Sequence, residues 1–267
     1  MKPATYIATH PVFRFDEFLA EHARDGRRQR TASVSSLRQH LAAGNLLRVR
    51  RGLYASVPRG VRPEEHQVDP YLVASKLADD AIVAYHAALQ LLGKAHSLSH
   101  QITYLTRYRL RPFEFQGTRF IPVLAPAAVR ALPDFGGHII EVPRHGGRVR
   151  VTDHERTAVD VMDSYEYGGG FEEIWRSLSS IEFFDIDAII EYVRRLRAAS
   201  TAARIGLFLE QHRERLMVED RHIDALRALA PKQPRYFDGR RSPGRLVAAW
   251  NLIVPEEILD GSWEEIP

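Results

Sequence analysis

The sequence predicts an α+β protein, and three features of its apolar pattern support that class. Helical periodicity and then two short alternating runs occupy the first 60 residues. Candidate strands, separated by proline and glycine, follow between residues 101 and 151. From residue 152 onward, apolar positions recur at helical spacing. We therefore expect a small N-terminal domain over residues 1–60 and a larger mixed α/β domain over 61–267, whose C-terminal half is helical.

Two helices are expected before residue 45, after an irregular leader over residues 1–13. Phe15 and Phe18 predict the first helix, over roughly 14–24. Ser33 is a candidate N-cap for the second, because a serine side chain accepts a free N–H group of the first turn. One face of this second helix is apolar, and a glycine follows its expected end. These residues are Val34, Leu37 and Leu41, followed by Gly44.

A β-hairpin is expected directly after the second helix. Residues 46–50 and 53–57 are two short β runs, and Arg51-Gly52 supplies the turn between them. A helix, a basic connection, a helix with a small polar face and an arginine-edged hairpin are together typical of a winged helix-turn-helix. The N-terminal domain is therefore predicted to have that fold.

The charge pattern of this domain points to a polyanion. Residues 26–63, which we call the arginine segment, contain nine arginines, no lysine and no acidic residue. The chain has 37 basic and 34 acidic residues in all, so 28 basic residues face 34 acidic ones outside the segment. A segment of charge +9 is thus attached to a body of charge −6, although the net charge is only +3. Such asymmetry is typical of nucleic-acid binding.

Within the arginine segment we expect three groups of DNA contacts. The outward face of the second helix is expected in the major groove, the hairpin against phosphate or the minor groove, and the connection against the backbone. The helix residues are Ser35, Ser36, Gln39 and His40, with Arg38 on the flank; the hairpin residues are Arg48, Arg50 and Arg51; the connection residues are Arg27, Arg28 and Arg30. The alternative is an ordinary solvated surface. Six phosphate contacts predict a slope near −5 for log K against log salt, at about −0.9 per contact.

The larger domain is expected to begin after a proline-containing linker over residues 58–70. Two short helices, four strands and a series of helices are then predicted. The helices lie near 70–79 and 84–93, and the strands at 101–106, 118–124, 138–142 and 147–151. A capping box at Thr152–Glu155 opens a helix to about 164, and further helices follow at 171–180, after Asp185, near 200–216 and near 221–230, before a mixed-charge tail.

A basic and aromatic strip occupies residues 104–111. Arg107, Arg109 and Arg111 would share one face if the strip were a strand. Stacking of a base on Tyr108 would suit RNA. The alternative is a sheet edge protected by charge.

The sequence does not support an enzyme, a metal site or a cofactor. It has no cysteine, no GxSxG, no Walker A sequence and no GxGxxG. Asp185 and Asp187 have the spacing of a two-metal site, but the Gly-Ser turn that such sites need upstream is missing, and a helix cap explains Asp185. His96 and His100 lack a third ligand.

Membrane insertion and secretion are not expected. No apolar run approaches the roughly 20 residues of a membrane helix, and the N-terminus lacks the pattern of a signal peptide. The sequence therefore predicts a cytoplasmic protein.

Several motifs carry a resemblance to one family. The run LRQHLAAGNLLRVRRGLYA resembles the recognition helix and wing of AbiEi-type antitoxins, the DNA-binding halves of type IV toxin–antitoxin pairs. VTDHERTAVDVMD, GGGFEEIW, a helix and AARIGLFLE then follow in the order of the AbiEi C-terminal domain. The likeness covers about residues 14–57 and 150–216.

The resemblance implies a DNA-binding antitoxin and transcriptional autorepressor. Its partners would be inverted repeats in its own promoter and a nucleotidyltransferase toxin encoded beside it, with self-association on paired half-sites. Whether it touches the toxin or the toxin's target is open. The second domain would serve antitoxicity and cooperative operator binding, with Arg107, Arg109 and Arg111 as the candidate surface. An RNA-binding or nucleic-acid-processing protein, and a winged-helix regulator that senses a small ligand, are the alternatives.

Overall fold

The computed structural model describes residues 2–21, 26–239 and 241–261, with the backbone alone for 26–30. It confirms the predicted α+β class. The chain forms two compact units, each built from discontinuous segments. The first unit contains Met1–Val83, His100–Pro122 and Glu141–Val151; the second contains Ala84–Ser99, Val123–Ile140 and Thr152–Pro267. The first 60 residues therefore share a unit with part of the central strands, and their independence as a domain stays a prediction.

The N-terminal part of the first unit alternates helices with a small antiparallel sheet. Its elements are α1 (Pro3–Thr9), β1 (Val12–Arg14), α2 (Phe15–Glu21), α3 (Gly26–Ala42), β2 (Leu46–Arg50) and β3 (Leu53–Ser56). The strand order is β1-β3-β2. The prediction of an irregular leader over 1–13 is wrong, because Tyr6 and Ile7 of α1 and Phe13 of β1 belong to the buried core.

The second helix is longer than the sequence predicted. It begins at Gly26, and Ser33 lies inside it and is buried, so Ser33 is not its N-cap. Residues 26–32 include three arginines, one glutamine and one alanine, which favour helix, and the helix continues through them. The hairpin is confirmed: β2 pairs with β3 around Gly52, whose φ of +79° few other residues adopt readily.

The rest of the first unit is built around a six-stranded sheet. It contains α4 (Pro70–Ser75), β4 (Ile82–Val83), β5 (Gln101–Thr106), β6 (Phe113–Phe115) and most of β7 (Thr118–Leu124), β8 (Ile139–Arg144) and β9 (Gly147–Thr152). The strand order is β6-β7-β5-β4-β9-β8, and β4 is parallel to β9. The four predicted strands are confirmed to within two residues, whereas the short β4 and β6 were not predicted. The helix predicted over 70–79 ends at Ser75.

The second unit is mainly helical, as predicted. Its helices are α5 (His86–Leu91), α6 (His154–Asp163), α7 (Phe171–Ser179), α8 (Ile186–Leu196), α9 (Ala199–Gln211) and α10 (Asp220–Leu229), with 3₁₀ turns at Pro133–Gly136 and Tyr165–Tyr167. Asp153 caps α6 by accepting the N–H of Arg156, so the cap lies one residue after the predicted start of the capping box. Asp185 caps α8, as predicted, by accepting the N–H of Ala188 at 3.0 Å.

The C-terminal segment, for which the sequence predicted only a mixed-charge tail, contains strands and a helix over the described residues. It forms β10 (Arg235–Tyr236), β11 (Arg245–Val247), β12 (Leu252–Val254) and α11 (Glu256–Asp260), with strand order β10-β12-β11. Phe237 and Trp250 are fully buried. Burial of these two aromatic side chains stabilises the segment. The sequence did not predict it, because the surrounding residues are charged and show no apolar periodicity.

An arginine–carboxylate pair is buried in the second unit. The Arg156 Nε donates to Asp160 at 3.2 Å, the Tyr192 hydroxyl donates to the same carboxylate at 2.9 Å, and Arg156 also donates to two backbone carbonyls. Burial raises the pKa of Asp160, and the arginine and the tyrosine oppose that shift. The arginine in the HERTAVDVMD motif is therefore explained by a buried network that joins α6 to α8.

Candidate nucleic-acid interface

Packing against the N-terminal core fixes which face of α3 meets solvent. Leu37 is 2% exposed and packs with Tyr6, Phe13 and Phe18, and Ser33, one turn earlier, is also buried. The exposed positions of α3 recur at the spacing of the opposite face. They are Thr31, Ala32, Ser35, Arg38, Gln39 and Ala42.

The predicted recognition residues divide between two parts of this helix. Ser35, Arg38 and Gln39 are exposed, so Arg38 lies on the outward face and not on the flank. Ser36 and His40 are partly buried, and the His40 Nδ1 lies 3.3 Å from the side-chain nitrogen of Asn45. Thr31 and Ala32 also lie on the exposed face of α3. The sequence did not indicate them, because Ser33 has the chemistry of a helix cap and both residues precede it.

Two of the three hairpin arginines are available to a ligand. Arg48 and Arg51 are exposed. Among the residues that the structure describes, none places a carboxylate oxygen within 4.0 Å of either guanidinium, or of that of Arg38. These three exposed side chains, on α3 and on the hairpin that follows it, therefore carry positive charge without a carboxylate partner among the described residues.

Arg50 has a different role. It donates to the backbone carbonyl of Leu77 at 2.6 Å, and its guanidinium carbon lies 5.4 Å from the centre of the Phe113 ring. The nearby Tyr104 is buried, and burial raises the pKa of its phenol to about 12, although Arg50 acts in the opposite direction. Arg50 is thus partly buried and bonded within the first unit, and the contact predicted for it with DNA does not fit its geometry.

The side chains of Arg27, Arg28 and Arg30 lie outside the described residues. Their backbone belongs to the first turns of α3. The basic connection predicted before the recognition helix is therefore the N-terminal part of that helix. Arg59 and Arg62, in the same segment, are exposed, and Arg62 contacts Glu65.

Acidic groups near the hairpin in the first unit are bound by other cations. Arg14 contacts Asp79, and Lys76 donates to Glu17 at 2.6 Å. Burial tends to raise the pKa of Glu17, but the N–H of Arg14 and the Lys76 ammonium outweigh it, and the pKa is lowered. Both carboxylates are therefore paired with cations that lie outside the arginine segment.

The second basic surface differs from its prediction. β5 ends at Thr106, and residues 107–112 contain no strand, so Arg107, Arg109 and Arg111 do not form one strand face. Asp80 explains the end of the strand, because it accepts both the N–H and the Nε of Arg107, at 3.0 and 2.9 Å. Arg109 and Arg111 are exposed, and so is Tyr108 at 52%.

Two further findings bear on the kind of site. In the described ranges, no three His, Cys, Asp or Glu side chains are grouped so that they could hold a metal ion. None of the described helices is both long and apolar enough to cross a bilayer.

Comparison with known proteins found neither a family model nor a curated protein that matches this chain.

The contrast between Arg50 and Arg48 generates a stability prediction. Arg50→Ala should lower the free energy of unfolding by about 1–2 kcal/mol, because it removes a hydrogen bond from a charged donor to a carbonyl. Arg48→Ala, the matched control, should change it by less than about 0.5 kcal/mol. Urea unfolding followed by circular dichroism measures both. Equal losses in the two variants would contradict the structural role assigned to the Arg50–Leu77 hydrogen bond.

Proposed function

We propose that this protein binds duplex DNA through the exposed face of α3 and the β2–β3 hairpin. The observation that carries the proposal is the exposure of Arg38, Arg48 and Arg51 without a carboxylate partner among the described residues. Like charges held together raise the free energy of the folded state, and a bound polyanion lowers it again. The order of elements, a helix followed by an antiparallel hairpin, supports a winged helix-turn-helix.

The geometry of α3 suits a recognition helix. A single α-helix fits the major groove of B-DNA, and Gln39 can bond adenine through both ends of its amide. Ser35 suits either partner of a base pair, and Arg38 reaches guanine or phosphate. On the hairpin, Arg48 and Arg51 are assigned to phosphate contacts, which set affinity and salt dependence but do not read sequence.

We further propose that the DNA is the protein's own promoter and that the protein is a type IV antitoxin. The family resemblance supports this step, together with the fit of a helix-turn-helix to inverted repeats. The protein would then act in the cytoplasm as an autorepressor. Its functional partner would be a nucleotidyltransferase toxin encoded beside it, countered through direct contact or through the toxin's target.

RNA binding is a second candidate, and the strip at 107–111 favours it. Tyr108 is an exposed aromatic ring between exposed arginines, and unpaired bases stack on such rings. The strip is shorter than α3 and the hairpin, and Arg107 is engaged with Asp80. Duplex DNA therefore remains the preferred ligand.

The proposal separates affinity from sequence recognition. Replacing both Arg48 and Arg51 with alanine should weaken binding to every duplex and make the slope of log K against log salt shallower by about 2, from −0.9 per phosphate. Gln39→Ala should cost about 1–3 kcal/mol on the promoter duplex and leave binding to random duplex unchanged. Fluorescence anisotropy over a series of salt concentrations measures both, with single-stranded RNA as competitor.

Arg119→Ala provides a control for this assay, because Arg119 is exposed in the same unit and far along the chain from the arginine segment. It should bind like the wild type. If the Gln39 variant lost as much affinity for random duplex as for promoter duplex, as the Arg48/Arg51 variant should, the division of roles would be refuted. Stronger competition by RNA than by duplex would favour the second candidate.

The antitoxin step predicts a separable activity. Co-expression with an adjacent nucleotidyltransferase gene should restore growth that the toxin alone arrests. The variant with Arg48→Ala and Arg51→Ala should still restore growth but no longer repress a reporter fused to the promoter, if neutralisation depends on other surfaces. Absence of such a neighbouring gene, or no rescue by the wild type, would contradict the antitoxin assignment and leave DNA binding to be judged separately.

A further inference from the structure

A cleft of about 820 Å³ lies wholly within the first unit. It is bordered by α1, by the C-terminal end of α3, by the end of β3 and by the turn between β8 and β9. Ligand pockets for small molecules span about 300–1,000 Å³, so the volume is that of a ligand site.

Most of the cleft wall is apolar. Side chains from α1, β1, the end of β3 and α4 contribute to it, and proline rings extend the apolar surface. Ile7, Val12, Val57 and Leu72 are nearly buried at its base, and the more accessible apolar side chains are Ala8, Pro11 and Pro58. Such a wall favours a hydrocarbon or aromatic body over a sugar or a nucleotide, whose hydroxyl groups would lose hydrogen bonds to water there.

The polar rim of the cleft carries an excess of positive charge. Asp69 is the one acidic residue that lines it. Its side chain is already bound by the N–H of Tyr71 at 2.9 Å, the Nε of Arg144 at 2.8 Å and the Nδ1 of His145 at 2.9 Å. Arg59 also lines the rim, and no carboxylate oxygen of the described residues lies within 4.0 Å of it. Its guanidinium is therefore available to a carboxylate.

We propose that this cleft binds a small amphipathic carboxylate, with its apolar body against Ala8, Pro11 and Pro58 and its carboxylate on Arg59. A planar guanidinium matches a carboxylate with two parallel hydrogen bonds. The apolar wall supplies affinity in proportion to the area it removes from water.

The same cleft touches the end of the proposed recognition helix. His40 and Asn45 line it, and the carbonyl of Asn45 accepts the N–H of Val57 at 3.0 Å. A ligand in the cleft contacts the segment that ends α3. If the ligand binds more tightly to one position of that segment, its binding changes the affinity for DNA by the same free-energy difference. This regulatory step rests on the proposed DNA binding, whereas ligand binding itself does not.

Isothermal titration of the full-length protein without DNA tests the site. Octanoate and 4-phenylbutyrate are the probes, and octanamide is the neutral counterpart of the first. We expect one carboxylate to bind per chain and octanamide to bind about tenfold more weakly or worse. Arg59→Ala should lose about tenfold in carboxylate affinity. Ala8→Trp places an indole on an exposed position of the cleft wall and should abolish binding.

Arg119→Ala is the matched control and should bind both probes like the wild type, and circular dichroism should show that all variants are folded. Failure of both carboxylates to bind at millimolar concentration overturns the proposal. Equal affinity for octanoate and octanamide, or unchanged binding in folded Ala8→Trp, also overturns it. Because DNA is absent from this titration, its result is independent of the proposed function. A second titration with promoter duplex then measures the coupling.

Discussion

The packing of Leu37 into the aromatic core of the first unit determines what the N-terminal region presents to solvent. Leu37 meets Tyr6, Phe13 and Phe18, and this contact leaves α3 one rotational setting on the small sheet. Rotation of α3 by a quarter turn would bury Arg38, which costs the free energy of removing a charge from water. It would also expose apolar side chains to water, which is unfavourable. The outward position of Ser35, Arg38 and Gln39 is therefore a consequence of the core.

Arginine occurs in two distinct environments in the described part of this chain, and the contacts of the guanidinium groups tell them apart. Arg50 and Arg156 are bonded to backbone carbonyls inside their own units, and Arg156 is also paired with Asp160. Arg48 and Arg51 extend into solvent on the hairpin. The carboxylates of Asp79 and Glu17 are paired with Arg14 and Lys76, so they do not neutralise Arg48 and Arg51. This separation of charge links the fold to the proposed DNA binding.

Local patterns predicted much of this fold, and contacts distant in sequence account for the errors. Alternation at residues 46–50 and the glycine turn located the hairpin, and β-type runs bounded by proline and glycine located four sheet strands. The start of α3 was missed because Ser33 has the chemistry of a cap, yet tertiary packing buries it. The end of β5 depends on Asp80, which is 26 residues earlier in the chain. The role of Arg50 depends on Leu77, and composition could not distinguish Arg50 from Arg48 and Arg51.

Arginine modification with a dicarbonyl reagent, read residue by residue by mass spectrometry with and without duplex DNA, shows which guanidinium groups the DNA covers. We predict that Arg38, Arg48 and Arg51 react in the free protein and are protected by duplex, that Arg119 reacts in both states, and that the buried Arg156 reacts in neither. Full reactivity of Arg38, Arg48 and Arg51 in the presence of duplex that protects arginines elsewhere would contradict DNA binding by α3 and the hairpin.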